Sequence, residues 1–259
     1  MTPTPVGMRC PECANQRTRV VVNPTGTATS VAFPATIALI AINVLVYLVE
    51  ILHGGGGTSI SIGDAYDLGA LWGPAVNEGG DWWRTITSGF VHFNILHIGF
   101  NMYLLFILGR LLEPAIGSVR FVFLYFASLL AGSFLALALT PDSVSAGASG
   151  AIFGVLGATF VIARGRKLDA IAGQIGILIL LNLVFTFADT GVSLGAHIGG
   201  LVAGVLCGLL IVAGERGMLG ESSRRGRLAV ELGAMGAIAV ISFVLALMAA
   251  AWGAPYFFG

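Results

Sequence analysis

The chain has 259 residues and a formal net charge of zero. Of these residues 56% are hydrophobic and only 10% charged, with a mean hydropathy of +0.92. A soluble domain carries about a quarter charged residues, so too few charged side chains remain to cover a water-facing surface. No basic block marks a nucleic-acid footprint, and three cysteines, Cys10, Cys13 and Cys207, make no disulfide framework.

In chain order, residues Met1 to Ser30 are Pro/Thr-rich and are expected to be a disordered tail. Within them Arg9-Cys10-Pro-Glu-Cys13 is half of a zinc knuckle. A structural zinc needs four ligands and no second pair exists. Cys10 and Cys13 therefore read as a remnant, the reading preferred here, or as a site shared between two chains. No cofactor is expected.

A bilayer core of ~30 Å takes about 20 apolar residues of helix. Seven segments of roughly that scale follow: Phe33 to Leu52, His92 to Leu112, Val119 to Leu139, Ser149 to Ala163, Ile171 to Ala188, Ala196 to Val212 and Leu228 to Trp252. Because they recur along the whole chain, they describe a polytopic membrane protein and not a leader on a soluble body. The loop His53 to Val91 carries Trp72, Trp82 and Trp83, which suits an element lying at headgroup level. The fourth segment is short and follows the polar, turn-rich stretch Thr140 to Ala148. That stretch must dip into the membrane, which is tolerable only where protein or water satisfies its backbone. A hydrated cavity opening outward is expected, with Ser149 near its floor. With the N-terminus placed in the cytoplasm, Arg9, Arg17, Arg19, Arg110, Arg120, Arg164, Arg166, Lys167, Arg216, Arg224, Arg225 and Arg227 fall inside and only Arg84 outside. This bias orients the chain with a cytoplasmic N-terminus and an extracytoplasmic C-terminus.

Polar groups at membrane depth are functional suspects, and here they gather on one side of the bilayer at three places. The run His92 to Asn101 opens the second segment and puts His97 and Asn101 four apart on one helical face. Gly147-Ala148-Ser149-Gly150 opens the fourth, and Gly195-Ala196-His197-Ile198-Gly199-Gly200 the sixth. Amide hydrolysis needs a nucleophile, a base and donors for the oxyanion. Ser149 at a helix N-terminus suits the nucleophile, His197 the base, and His97 with Asn101 the donors. No carboxylate sits where it could orient His197, so a dyad is expected. Gly150 with Gly154, and Gly195 with Gly199, form small-residue stripes that would let the two helices approach closely. Taken singly, Ser149 is equally a small capping residue, and His97 with Asn101 a buried pair satisfying each other. A metal site of His92, His97 and His197 is disfavoured, because no HExxH motif or neighbouring carboxylate accompanies it.

Jointly, these residues resemble the rhomboid family of intramembrane serine proteases. That family has GxSG opening the fourth helix, AHxxG on the sixth and HxxxxHxxxN on the second. Gly147 to Gly150, Ala196 to Gly200 and His92 to Asn101 match in order. Trp83-Arg84 resembles the family's first-loop WR pair, and Glu113 with Gly117 its ExxxG. The resemblance covers roughly Phe33 to Val212. It implies an all-α fold of six transmembrane helices, here with a seventh C-terminal one. It also implies Ser149 as nucleophile, His197 as base, an oxyanion site of His97, Asn101 and the Ser149 amide, and His92 as a structural hydrogen-bonding partner. Phe153 stands where many members carry a tyrosine that stacks on the histidine, so the stack is kept and a hydroxyl lost. Gly147, Gly150 and Gly199 are supporting positions.

The expected organisation is a tail (1–30), a protease core (31–213) and a linker with a seventh span (214–259). The expected partners are single-span membrane substrates and the lipid bilayer, with no nucleic acid, and the location is a bacterial plasma membrane. Access is expected around the fifth span and the loop Ala188 to Leu194. The alternative is a catalytically silent rhomboid-like factor that binds membrane clients. The intact serine and histidine argue against it, and the lack of an internal repeat argues against a transporter.

Overall fold

The computed structural model describes residues 2–4, 7–9, 33–53, 69–188, 192–221 and 223–252. The chain divides into two compact units, Met1–Val31 and Ala32–Gly259. In the first, strand β1 (Thr2–Thr4) pairs antiparallel with β2 (Gly7–Arg9), Thr2 opposite Arg9 and Thr4 opposite Gly7. The expectation of a disordered tail over Met1 to Ser30 is corrected at these six residues; the rest of that stretch lies outside the described residues. Cys10 and Cys13 lie outside the described residues.

Among the described residues of the second unit the named elements are all helices: α1 (Pro34–His53), α2 (Gly73–Asn77), α3 (Arg84–Thr87), α4 (Ile95–Ile116), α5 (Ser118–Leu139), α6 (Ser149–Gly165), α7 (Asp169–Ala188), α8 (Leu194–Glu215) and α9 (Arg224–Trp252). Six of these, α1, α4, α5, α7, α8 and α9, are long and apolar enough to cross a membrane. They and α6 coincide with the seven apolar segments, the largest shifts being Leu112 against Ile116 and Leu228 against Arg224.

α6 has 17 residues and so rises about 26 Å, short of a bilayer core. It tolerates this because every residue from Gly150 to Thr159 is buried in protein. Glycine creates the contact. A methyl on Gly200 would collide with the Gly150 carbonyl, and one on Gly204 with the Gly154 carbonyl. The stripe that meets α6 is therefore Gly200, Gly204 and Gly208. Gly195 and Gly199 instead press on the backbone of α5 at Leu135 and Ala131, which corrects their expected pairing with the fourth span. One residue is about 100° of helical rotation, so the adjacent rows point to different neighbours and wedge α8 between α5 and α6.

Local capping sets where the site-bearing helices begin. Asn94 accepts from the His97 N–H at 2.9 Å to start α4, and Ser193 accepts from the Ala196 N–H at 3.2 Å to start α8. At the other end of α4 the Glu113 carboxylate accepts from the Ala35 and Thr36 N–H groups and the Thr36 and Ser118 hydroxyls. An anion thereby sits on the N-terminus of α1, where the helix dipole favours it. Gly117, with φ of 90°, makes the turn into α5.

The described part of the loop before α4, residues 69–94, is held by hydrogen bonds. Buried Arg84 donates to Asp81 Oδ2 at 2.8 Å and to the Ala70 carbonyl at 3.1 Å, and Ser133 of α5 donates to the Thr85 carbonyl at 2.7 Å. Leu71 pairs in both directions with Ser145, at 2.8 and 2.9 Å. The segment ahead of Ser149 thus receives its backbone partners from protein, as burial demands.

Candidate active site

The residues leading into α6 are held individually. The Gly147 N–H donates to the Ser88 carbonyl at 2.8 Å, and the Ala148 N–H reaches His92 Nε2 at 3.5 Å. His92, wholly buried, has Nδ1 3.1 Å from the Phe90 carbonyl. A carbonyl only accepts, so Nδ1 carries the proton and Nε2 is the acceptor that Ala148 needs. The His92 N–H in turn donates to Glu50 Oε2 at 3.3 Å. Gly147 has φ of +122°, and a Cβ there would lie 2.6 Å from His97 Nε2. Conformation and space both require glycine.

Ser149 opens α6, half-buried, with its Oγ 2.7 Å from His197 Nε2. Phe153, one turn on, stacks on the His197 ring at 4.1 Å and 20°. His197 Nδ1 lies 2.7 Å from Thr186 Oγ1 on α7. His97 and Asn101 sit beside the segment entering α6: a Cβ at Gly147 would also lie 3.7 Å from Asn101 Nδ2. Asn101 donates one amide hydrogen to the His97 carbonyl at 3.1 Å. The His97 ring packs edge-on to His92 at 5.0 Å and is stacked with Phe93 at 6.0 Å.

A cavity of about 800 Å³ opens onto this cluster. Ser149 and Gly150 are among its lining residues, with His97, Gly147 and the segment Val192 to Ala196. His197 and Asn101 are not among the lining residues; His197 reaches the cavity through its contact with Ser149, and Asn101 lies beside Gly147. A hydroxyl facing a cavity, backed by an imidazole nitrogen, is an arrangement suited to nucleophilic attack. Among the described residues no three His, Cys, Asp or Glu side chains converge as a metal site.

Thr186 was missed in the sequence. A lone threonine in an apolar helix carries no signal, because its hydroxyl can always bond back to its own helix. Glu50 was missed for a similar reason: it falls near the end of its segment, where a carboxylate reads as an interfacial residue.

The Rhomboid domain profile matches residues 79–214, which contain every site residue described above except Glu50. The chain belongs to the rhomboid family. Among its relatives are Rhomboid protease GluP of Bacillus subtilis, 35% identical over 72% of this chain and 36% of that one, and RHOMBOID-like protein 6, mitochondrial, of Arabidopsis thaliana, 35% identical over 56% and 48%. Rhomboid-like protease 3 of Toxoplasma gondii is 34% identical over 53% of this chain and 54% of its own length. The matched region spans about a third to a half of these relatives. This rhomboid is an integral multi-pass membrane protein; α4 to α8 fall within the matched region to within one residue, and α1 and α9 lie outside it. Its protease-named relatives support a peptidase at the level of the family.

Proposed function

We propose that this rhomboid is an intramembrane serine endopeptidase acting through Ser149 and His197 on single-span membrane proteins. The observation that carries the reading is the 2.7 Å contact between Ser149 Oγ and His197 Nε2 beside the cavity. Ser149 Oγ attacks the scissile carbonyl carbon as its proton moves to His197 Nε2. The oxyanion takes hydrogen bonds from the Ser149 N–H at the start of α6, from His97 and from Asn101. Collapse breaks the C–N bond, and the leaving amine takes the proton from His197. Water then attacks the acyl-serine, giving its proton to Nε2, and the serine is regenerated with release of the carboxylic acid.

A helical substrate must give up local hydrogen bonds to reach Ser149, so helix-weakening and small residues near the cut favour cleavage. Access beside α7 and the loop Ala188 to Leu194 fits the cavity's lining by Val192 to Ala196; residues 189–191 lie outside the described ones. The arginine distribution supports a site opening to the extracytoplasmic side, and a bacterial plasma membrane is the setting we propose.

The test is cleavage of a reporter single-span substrate in liposomes by wild type, Ser149→Ala and His197→Ala, alongside labelling by a serine-directed fluorophosphonate. Both variants should lose cleavage while remaining folded. A wild type that neither cleaves a panel of substrates nor reacts with the probe favours client binding instead.

A further inference from the structure

We propose that Thr186 is a positioning residue for the dyad, holding the His197 proton on Nδ1 so that Nε2 stays free to receive the proton of Ser149. The proposal rests on the protease reading above and adds to it a residue from a helix that otherwise contributes no polar group to the cluster.

The hydrogen bonds assign the proton. Thr186 Oγ1 lies 2.8 Å from the Asn182 carbonyl, one turn back on α7, and 2.7 Å from His197 Nδ1. A carbonyl only accepts, so the threonine hydrogen goes to Asn182 and the hydroxyl oxygen presents lone pairs to the ring. The nitrogen facing it must then be N–H. A neutral imidazole protonated at Nδ1 is an acceptor at Nε2, where the Ser149 hydroxyl donates at 2.7 Å. The chain Ser149 to His197 to Thr186 to Asn182 therefore runs in one direction with every donor matched to an acceptor. With the threonine hydrogen kept on the Asn182 carbonyl, the opposite tautomer sets a nitrogen lone pair against the threonine oxygen and an N–H against the serine it should deprotonate.

Nothing else among the described contacts does this. The buried carboxylates are engaged elsewhere: Glu50 at the His92 N–H, Glu113 at the start of α1, and Glu231 with Arg120. Phe153 fixes the plane of the ring by stacking, but a stack does not choose between the two nitrogens. Thr186 and His197 are 4% and 6% exposed, so water has little access to replace the hydroxyl. When Nε2 takes the serine proton, the Nδ1 proton stays in place and Thr186 keeps its own; the threonine orients the imidazolium without exchanging a proton.

The experiment uses the full chain in detergent, with Thr186→Val, which keeps the shape and removes the hydroxyl, and Thr186→Ser, which restores it. Two quantities are read: the kcat and KM of cleavage, and the 15N spectrum of the imidazoles, tractable because the chain has 4 histidines. Thr186→Val should lower kcat roughly 10- to 100-fold, at or below the bottom of the ~10²–10⁴-fold range for losing general-base catalysis outright because the imidazole itself stays in place, with KM little changed. It should also shift His197 away from the Nδ1–H form. Thr186→Ser should recover most of kcat and the wild-type spectrum. A folded Thr186→Val protein with wild-type kcat, or a wild-type His197 protonated on Nε2, overturns the proposal. If Thr186→Val does not fold, the wild-type spectrum still decides. If the wild type neither cleaves nor takes the fluorophosphonate, the protease reading fails, and the spectra separately report whether Thr186 holds the tautomer.

Discussion

At His197 the side chain is fixed through its two nitrogens and its ring face, each from a different element: Ser149 and Phe153 on α6, Thr186 on α7. The stack is the contact most open to graded testing. Aromatic pairs contribute ~0.5–1.5 kcal/mol beyond their area, so Phe153→Ala should lower kcat about 2- to 12-fold, each 1.36 kcal/mol being tenfold. Phe153→Tyr, which keeps the ring, should stay near wild type in the same kinetics. Removing a donor from the oxyanion should cost more. Asn101→Ala is expected to lower kcat by roughly 10²–10³-fold with fluorophosphonate labelling correspondingly slowed, the cost typical of one oxyanion donor. A wild-type rate in Asn101→Ala would assign that amide to holding the His97 carbonyl alone.

For the helices, the decisive contacts are between backbones. In lipid there is no hydrophobic drive between apolar helices, so stability comes from packing and close approach. Gly204 abuts the Gly154 carbonyl, leaving no room for a side chain. Gly204→Val should therefore separate α8 from α6 and cost at least the ~1–3 kcal/mol typical of overpacking, seen as a lower melting temperature and loss of cleavage together. Gly173 on α7 has nothing within 4 Å of a built methyl. Gly173→Ala should leave melting unchanged or raise it slightly, since alanine gains up to ~1 kcal/mol of helix propensity. The small-residue stripes were legible in the sequence; their partners were not. Gly199 and Gly200 are adjacent in the chain yet face α5 and α6 respectively, and only the docked arrangement says which neighbour stands on which side.

Across the second unit, the seventh span is anchored at two separated points. Arg120 of α5 donates to Glu231 of α9 at 2.5 Å, with the Glu231 side chain 1% exposed. Further along α9, Phe243 meets Trp82 edge-on at 6.1 Å, in the loop that also supports the approach to Ser149. Breaking a buried ion pair from one side costs ~3–5 kcal/mol, and Arg120 keeps 19% of its side chain exposed, so Glu231→Gln should fall at or below that range. The melting temperature should drop, while kcat of the folded fraction stays near wild type. A parallel fall in kcat at temperatures where the variant is folded would mean that α9 acts on the site through the loop.

Composition and period alone determine that this chain lives in a membrane and where its apolar helices run, because a shortage of charge and the length of a span are properties of the sequence itself. The GxSG, AHxxG and HxxxxHxxxN runs likewise single out Ser149, His197, His97 and Asn101, since chemistry-bearing residues are conspicuous among apolar ones. Only the tertiary structure decides what surrounds them. It sets His92 under the Ala148 amide, the glycine rows against their separate neighbours, and Thr186 at the far side of the His197 ring. A threonine in a helix looks the same in sequence whether its oxygen faces lipid, its own backbone or an imidazole. Its partner is fixed by how α7 docks on α6 and α8, which no local pattern encodes.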